Sequence, residues 1–210
     1  MAIEKFTTRA LILEQYANGE NDVMIKAFTE EFGVINVLAK SLKKREGKLK
    51  AHVRKYHYAN ITLVKGREIW RLSGASEIIV RNKVIPEISK FITRLYRGEV
   101  KSDILFKKIF NFININSNND TSKISSVDSL KSSDSNSKLD IDIAINTSVY
   151  KLAIYSMILI ELGYMDALHL GVKNMGEYKA MAIEDLILYV SIHKDFINNQ
   201  IRLAIRESML

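Results

Sequence analysis

The 210-residue chain has no cysteine, one proline and nine glycines. Without cysteine there are no disulfides, thiolate zinc ribbons, iron–sulfur clusters or cysteine nucleophiles. Long apolar runs are missing as well. The longest charge-free apolar run in a candidate helix, Leu152–Ile160, spans nine residues between Lys151 and Glu161. A bilayer-spanning helix needs roughly 20. The opening MAIEKFTTRALILEQY has Glu4 early, no small-residue cleavage site, and an apolar stretch broken by Arg9 and Glu14. That pattern argues against a signal peptide. The chain therefore reads as soluble and cytoplasmic, long enough for one large or two small domains with their own cores.

What is present is positive charge, and it is concentrated. The chain holds 31 Lys and Arg against 24 Asp and Glu, a net +7. Between residues 40 and 71 the bases are Lys40, Lys43, Lys44, Arg45, Lys48, Lys50, Arg54, Lys55, Lys65, Arg67 and Arg71. Only Glu46 and Glu68 oppose them, so this segment carries +9 and the remaining 178 residues sum to −2. Such a stripe attracts a polyanion, because each neutralised phosphate releases condensed counterions. A solvated loop that is basic for solubility is the plainer reading. Interleaved rings favour nucleic acid: His52, Tyr56, His57, Tyr58 and Trp70 offer flat faces on which unpaired bases stack. Taken singly, each of these aromatics is equally compatible with a core position.

Residues 8–80 pattern as β. Thr8–Tyr16 alternates, with Leu11 and Leu13 on one face and Ala10, Ile12 and Glu14 on the other. Asn18-Gly19 signals a turn. Val23–Thr29 alternates again, Gly33 breaks the chain, and Val34–Ala39 is an apolar strand rich in branched residues. After the basic stretch, Tyr56–Lys65 predicts a fourth strand and Arg67–Ser73 a fifth, with Gly74 marking its end or a bulge. Five short strands in about 70 residues fit a small barrel, the five-stranded OB-fold barrel first and an SH3-like barrel as the alternative. Strand count alone does not separate them. In both, the basic segment joins the third and fourth strands.

From Pro86 the period becomes helical: Ile88, Phe91, Ile92, Leu95 and Tyr96 share a face, and Gly98 closes the helix. Ser102 suits the cap of a second helix carrying Ile104, Leu105, Ile109, Phe110 and Ile113. Residues 114–138 are rich in Ser, Asn and Asp and read as a loop or disordered insert. Thr147 or Ser148 then caps a helix to Leu162 that is apolar around most of its circumference, as befits the centre of a bundle. Gly163 ends it, Tyr164–Leu170 forms a turn or two, and helices are expected over Tyr178–Ile192 and Asp195–Ser208, the last capped by Asp195. The chain thus divides into a barrel domain, 1–80, and an α-helical domain, 81–210, carrying the insert.

No catalytic, cofactor-binding or metal-binding residue is assigned. His52, His57, His169 and His193 form no ligand-spaced motif. Asp140 and Asp142 alternate with apolar residues but lack a third acid at helical or strand spacing, which sets aside a two-metal nuclease. The glycines are isolated, and no phosphate-cradling loop ends in G-K-[ST].

Several ordered motifs resemble one family. They are the G-E-N-D run Gly19–Asp22, the F-T-E-E-F-G run Phe28–Gly33, the strand ending Ala39-Lys40 before a Lys/Arg loop, and the L-V-K-G-R run Leu63–Arg67. Over residues 3–80 the chain resembles the RecO family of bacterial recombination mediators. The apolar helix ending Leu162-Gly163-Tyr164 is similar to the family's leucine-rich helix. The resemblance implies an OB fold followed by a helical domain, nucleoid-associated, and a non-enzymatic role in DNA repair. It implies binding to single- and double-stranded DNA, annealing of complementary strands, and work with RecR and single-stranded-DNA-binding protein (SSB) to help load RecA. It also implies an apolar groove in the helical domain for SSB. Many members carry a four-cysteine zinc module after the leucine-rich helix; this chain has no cysteine.

The expected DNA-backbone contacts are Lys40, Lys43, Lys44, Arg45, Lys48, Lys50, Arg54 and Lys55, flanked by Arg67 and Arg71. Tyr56 and Trp70 are expected either to stack on bases or to lie in the core. Two other functions suit the same stripe: an OB-type RNA- or ribosome-associated binder, and an interaction scaffold for an acidic protein.

Overall fold

The computed structural model describes residues 4–43, 49–78, 83–96, 98–99, 101–122 and 135–208, with backbone alone at 115–122 and 135–147. Five strands come first: β1 (Lys5–Asn18), β2 (Asp22–Thr29), β3 (Gly33–Ala39), β4 (Tyr58–Lys65) and β5 (Trp70–Ile78). They close into a barrel in the order β1-β2-β3-β5-β4. β1 pairs antiparallel with both β2 and β4, and the short parallel pairing Val37↔Trp70 and Leu38↔Arg71 closes the circuit. This order is that of the OB fold, which settles the choice the strand count left open.

The barrel is filled by alternate residues: Ala10 and Ile12, Val23, Ile25 and Ala27, Ile35 and Val37, Ala59, Ile61 and Leu63, and Trp70. β1 is buried without a break from Ala10 to Leu13. Ala10 and Ile12 face the barrel core, and α1 packs on this strand. The strand also carries a bulge, with Ile12 opposite Ala27 but Glu14 opposite Lys26. The extra residue shifts the phase of everything after it. Glu14 therefore lies on the outer side with Lys26, not with Ala10 and Ile12 as simple alternation predicts. A second irregularity places Thr62 opposite Gly74 and Leu63 opposite Leu72, so Gly74 marks a bulge inside β5 rather than its end.

Outside the barrel, α1 (Ile85–Leu95) packs on β1 and buries Ile88 and Ile92. α2 (Asp103–Ser122) brings Phe106 within 5.4 Å of Phe28 and 6.0 Å of Tyr58, centroid to centroid. The compact unit built on the barrel extends to Lys107 and takes in α1 and the start of α2.

The second unit, from Lys108, is helical. α3 (Ser135–Glu161) buries Leu152, Ala153, Ile154, Met157, Ile158, Leu159 and Ile160, and α5 (Ile183–Ile192) and α6 (Lys194–Glu207) pack against it. A 3₁₀ turn at Ala167–Leu170 starts where the Asp166 side chain accepts from the Leu168 N–H. It ends at Gly171, whose φ of +74° and closeness to the Tyr189 ring leave no room for a Cβ.

Four expectations change in this unit. The stretch 114–138 is helical through Ser122 and again from Ser135; residues 123–134 lie outside the described residues. An apolar helix already nucleated extends through Ser and Asn at a few tenths of a kcal/mol each. Thr147 and Ser148 accordingly lie within α3 rather than at its start. The helix expected over Tyr178–Ile192 is two, α4 (Met175–Ala180) and α5, divided at the extended Ala182, after which Glu184 and Asp185 favour a new N-terminus. Asp195 sits in the first turn of α6, which begins after His193.

Candidate nucleic-acid interface

The connection from β3 to β4 carries cations on a hydrophobic plug. Leu42 and Val53 belong to the barrel core and Leu49 packs against it, so the described parts of the connection are pinned to the barrel at these three residues. Lys40, Lys43, Lys50, Arg54 and Lys55 are exposed. Lys44, Arg45 and Lys48 lie outside the described residues.

Two anchors hold this connection. At its start, the Ser41 N–H donates to Asp22 Oδ1 at 2.7 Å, and Lys43 donates from Nζ to the Gly19 carbonyl at 2.9 Å. Lys43 is thereby fixed to the β1–β2 turn. At its end, the Tyr56 N–H donates to the Ile12 carbonyl at 2.8 Å, and the Ile12 N–H to the His57 carbonyl at 2.9 Å. The Gln15 side-chain amide also donates to the Val53 carbonyl. Tyr56 is held at φ +67°, a conformation an L-residue adopts only under constraint from its surroundings. Its ring is half-buried, and Lys55 Nζ lies 4.8 Å from its centroid.

Arg54 and His57 meet on one acceptor. Arg54 Nη2 lies 2.7 Å and His57 Nδ1 2.9 Å from Glu77 Oε1. The hydrogen bond from Arg54, reinforced by that from His57, holds the Glu77 carboxyl below its ordinary range. Arg54 is thus partly neutralised, unlike its neighbours in sequence.

A second set of cations surrounds the β4–β5 turn. Lys65 Nζ lies 5.1 Å from the Trp70 ring centroid, and Arg67 and Arg71 are exposed. With Ile61, Leu63 and Trp70 facing inward, alternation turns Asn60, Thr62, Val64 and Arg71 outward. Val64 has Lys5 of β1 on one side and Arg71 on the other. Arg71 in turn pairs with Leu38, two residues before Lys40. The outer sheet therefore carries Lys5, Arg71 and the approach to Lys40 in one band, interspersed with Thr7, Thr62 and Ser73. Among the described residues, Lys5, Lys40, Lys50, Lys65, Arg67 and Arg71 form no ion pair. Lys5 is the member that reading along the sequence misses, since it lies outside the basic segment and only strand register brings it in.

Of the two expectations for Trp70, the structure places it in the core. It is 4% exposed, with ring centroids of Phe32 at 4.8 Å and Phe6 at 5.7 Å. Tyr58 is buried beneath Phe106, and burial pushes its hydroxyl far above the usual range. Of the aromatics in the segment, Tyr56 keeps an accessible ring beside the cations. Arg9, on β1, is committed to Glu30 through Nε at 2.7 Å and Nη2 at 3.0 Å.

No group of three or more His, Cys, Asp or Glu able to hold a metal occurs among the described residues, and no helix among them is long and apolar enough to cross a membrane.

A closed 1-2-3-5-4 barrel, with exposed cations on its outer sheet, defines an OB-fold protein. Residues 1–80 match the family described as Recombination protein O N terminal. Proteins named DNA repair protein RecO are similar to part of this chain. That of Dehalococcoides mccartyi strain 195 is 33% identical over 73 residues, 35% of this chain and 29% of the relative. That of Alkaliphilus metalliredigens is 32% identical over 66 residues, 31% of this chain and 27% of the relative. Residues 1–80 are thus similar to the N-terminal domain of the RecO family, and the chain spans under a third of the length of these relatives.

Proposed function

We propose that this chain is a DNA-binding recombination mediator in DNA repair, of the RecFOR type, and makes or breaks no covalent bond. Its barrel holds single- and double-stranded DNA by the phosphate backbone. Neutralising two strands on one surface lowers their mutual repulsion and leaves base edges free to pair, which is what annealing requires. RecR and SSB are the proposed partners, with RecA loaded onto SSB-coated DNA as the outcome.

The observation that carries this reading is the band of cations free of ion pairs on a barrel of the RecO N-terminal family. Lys40, Lys43, Lys50, Lys55, Lys65, Arg67, Arg71 and Lys5 supply phosphate contacts, and Tyr56 supplies a stacking face.

The test is annealing of complementary oligonucleotides, bare and SSB-coated, alongside binding measured against salt. With about six phosphates neutralised, log K falls against log salt with a slope near −4 on single strands and near −5 on duplex. Annealing should be faster with the protein than without it. Salt-independent affinity, or none for DNA, defeats the proposal. Preference for RNA of the same sequence moves the chain to the RNA-associated alternative.

A further inference from the structure

Glu77 stands at the C-terminal part of β5, opposite Ala59, next to the point where the β3–β4 connection enters β4. Its Oε1 alone receives both Arg54 Nη2 and His57 Nδ1, at 2.7 and 2.9 Å. A carboxylate only accepts, so the His57 proton in this contact is on Nδ1. Two donors, one permanently cationic, converging on one anionic oxygen is the arrangement that recognises a phosphate oxygen. The rest of the turn keeps them converged. Arg54 Nε donates to the Ala51 carbonyl at 3.1 Å, and the His57 N–H donates to the Arg54 carbonyl at 3.2 Å. Both side chains are solvent-accessible, Arg54 at 56% and His57 at 36%. A polyanion can therefore reach them where Glu77 now sits.

We propose that Arg54 and His57 form a phosphate site which the Glu77 carboxylate occupies in the free protein, so that Glu77 is an intramolecular competitor setting the affinity for the nucleic-acid backbone. Binding exchanges one anion for another, so Arg54 and His57 gain no net charge contact when a phosphate displaces the carboxylate. Affinity is thereby held below what the cations alone would give. A protein that must release one strand to pair it with another benefits from that restraint. The inference rests on the DNA binding proposed above.

The experiment compares Glu77→Gln, Arg54→Ala and the double variant in the full chain, using a single-stranded oligonucleotide in a salt titration. Glu77→Gln should bind about five-fold more tightly, with a salt slope steeper by roughly 0.7 as one more phosphate is neutralised. In the Arg54→Ala background the same change should gain no more than Glu68→Gln, which removes one exposed carboxylate from the β4–β5 turn. If Glu77→Gln unfolds, Glu77→Ser serves in its place.

Weaker binding by Glu77→Gln means that the carboxylate positions Arg54 for DNA, and overturns the proposal. So does a gain that survives loss of Arg54 or merely equals that of Glu68→Gln. If the wild-type chain binds DNA and shows no such gain, the competitor role alone fails. If neither wild type nor Glu77→Gln binds DNA, the binding reading fails as well.

Discussion

Lys5 and Arg71 flank the same residue: each pairs with Val64, Lys5 from β1 and Arg71 from β5. All three lie in one row across the outer sheet, so a cation at the start of the barrel's sequence joins one near its end. Neither takes part in an ion pair among the described residues. Lys5→Glu with Arg71→Glu should weaken DNA binding roughly ten-fold on any sequence. The single-strand salt slope should become shallower by about 1.4, at about 0.7 per lost contact. An unchanged slope would move the interface off this sheet.

Tyr56 holds a left-handed backbone at φ +67° and a half-buried ring beside Lys55. Glycine relieves about 1–2 kcal/mol of that backbone cost and adds a comparable unfolded-state entropy. Tyr56→Gly should therefore leave stability within about 1 kcal/mol of wild type. If the ring stacks on a base, the variant loses about 1–3 kcal/mol of single-strand affinity and much less on duplex. Equal affinity in both forms would make Tyr56 purely structural.

Trp70 behaves in the opposite way. It is the chain's one tryptophan, so intrinsic emission reports it directly. Packed against Phe6 and Phe32 at 4% exposure, it should emit at short wavelength, resist a soluble quencher, and change little when DNA is added. Trp70→Ala should cost about 3–5 kcal/mol in denaturant unfolding, whereas Trp70→Phe should retain DNA binding. Strong quenching by single-stranded DNA would contradict its place in the core.

The Arg9–Glu30 pair gives stability a pH dependence. The Arg9 hydrogen bond holds the Glu30 carboxyl below its ordinary 4.5, with Lys107 at 3.7 Å adding to the effect. A group whose pKa is lower folded than unfolded adds stability above the unfolded value. That stability is lost as pH falls through the folded value. Wild type should exceed Glu30→Gln by about 1 kcal/mol at neutral pH, a figure that allows for solvent screening. The difference should close in acid below pH 4.5. A difference that persists there would show that packing, not charge, accounts for it.

The strands were legible because their inward residues alternate at the period of the pleat, and the central helix because it is apolar on nearly every side. The places where patterning misled have local causes. At Leu13 one extra residue reverses the phase of the strand. At Ser122 and Ser135 polar residues ride on helices begun elsewhere. At Ala182 the backbone turns extended within an otherwise helical pattern.

The sequence by itself determined the barrel's strands, the +9 segment and the lack of thiol chemistry, because period, net charge and composition are carried by neighbours along the chain. Only the tertiary structure decided which cations lie together and which are paired. Lys5 joins Arg71 through the register of β4, Arg54 is drawn to Glu77, Arg9 is committed to Glu30, and Trp70 is taken into the core. Each outcome depends on residues far apart in sequence, and hydrogen-bond register and burial, which set those meetings, exist only once the barrel has closed.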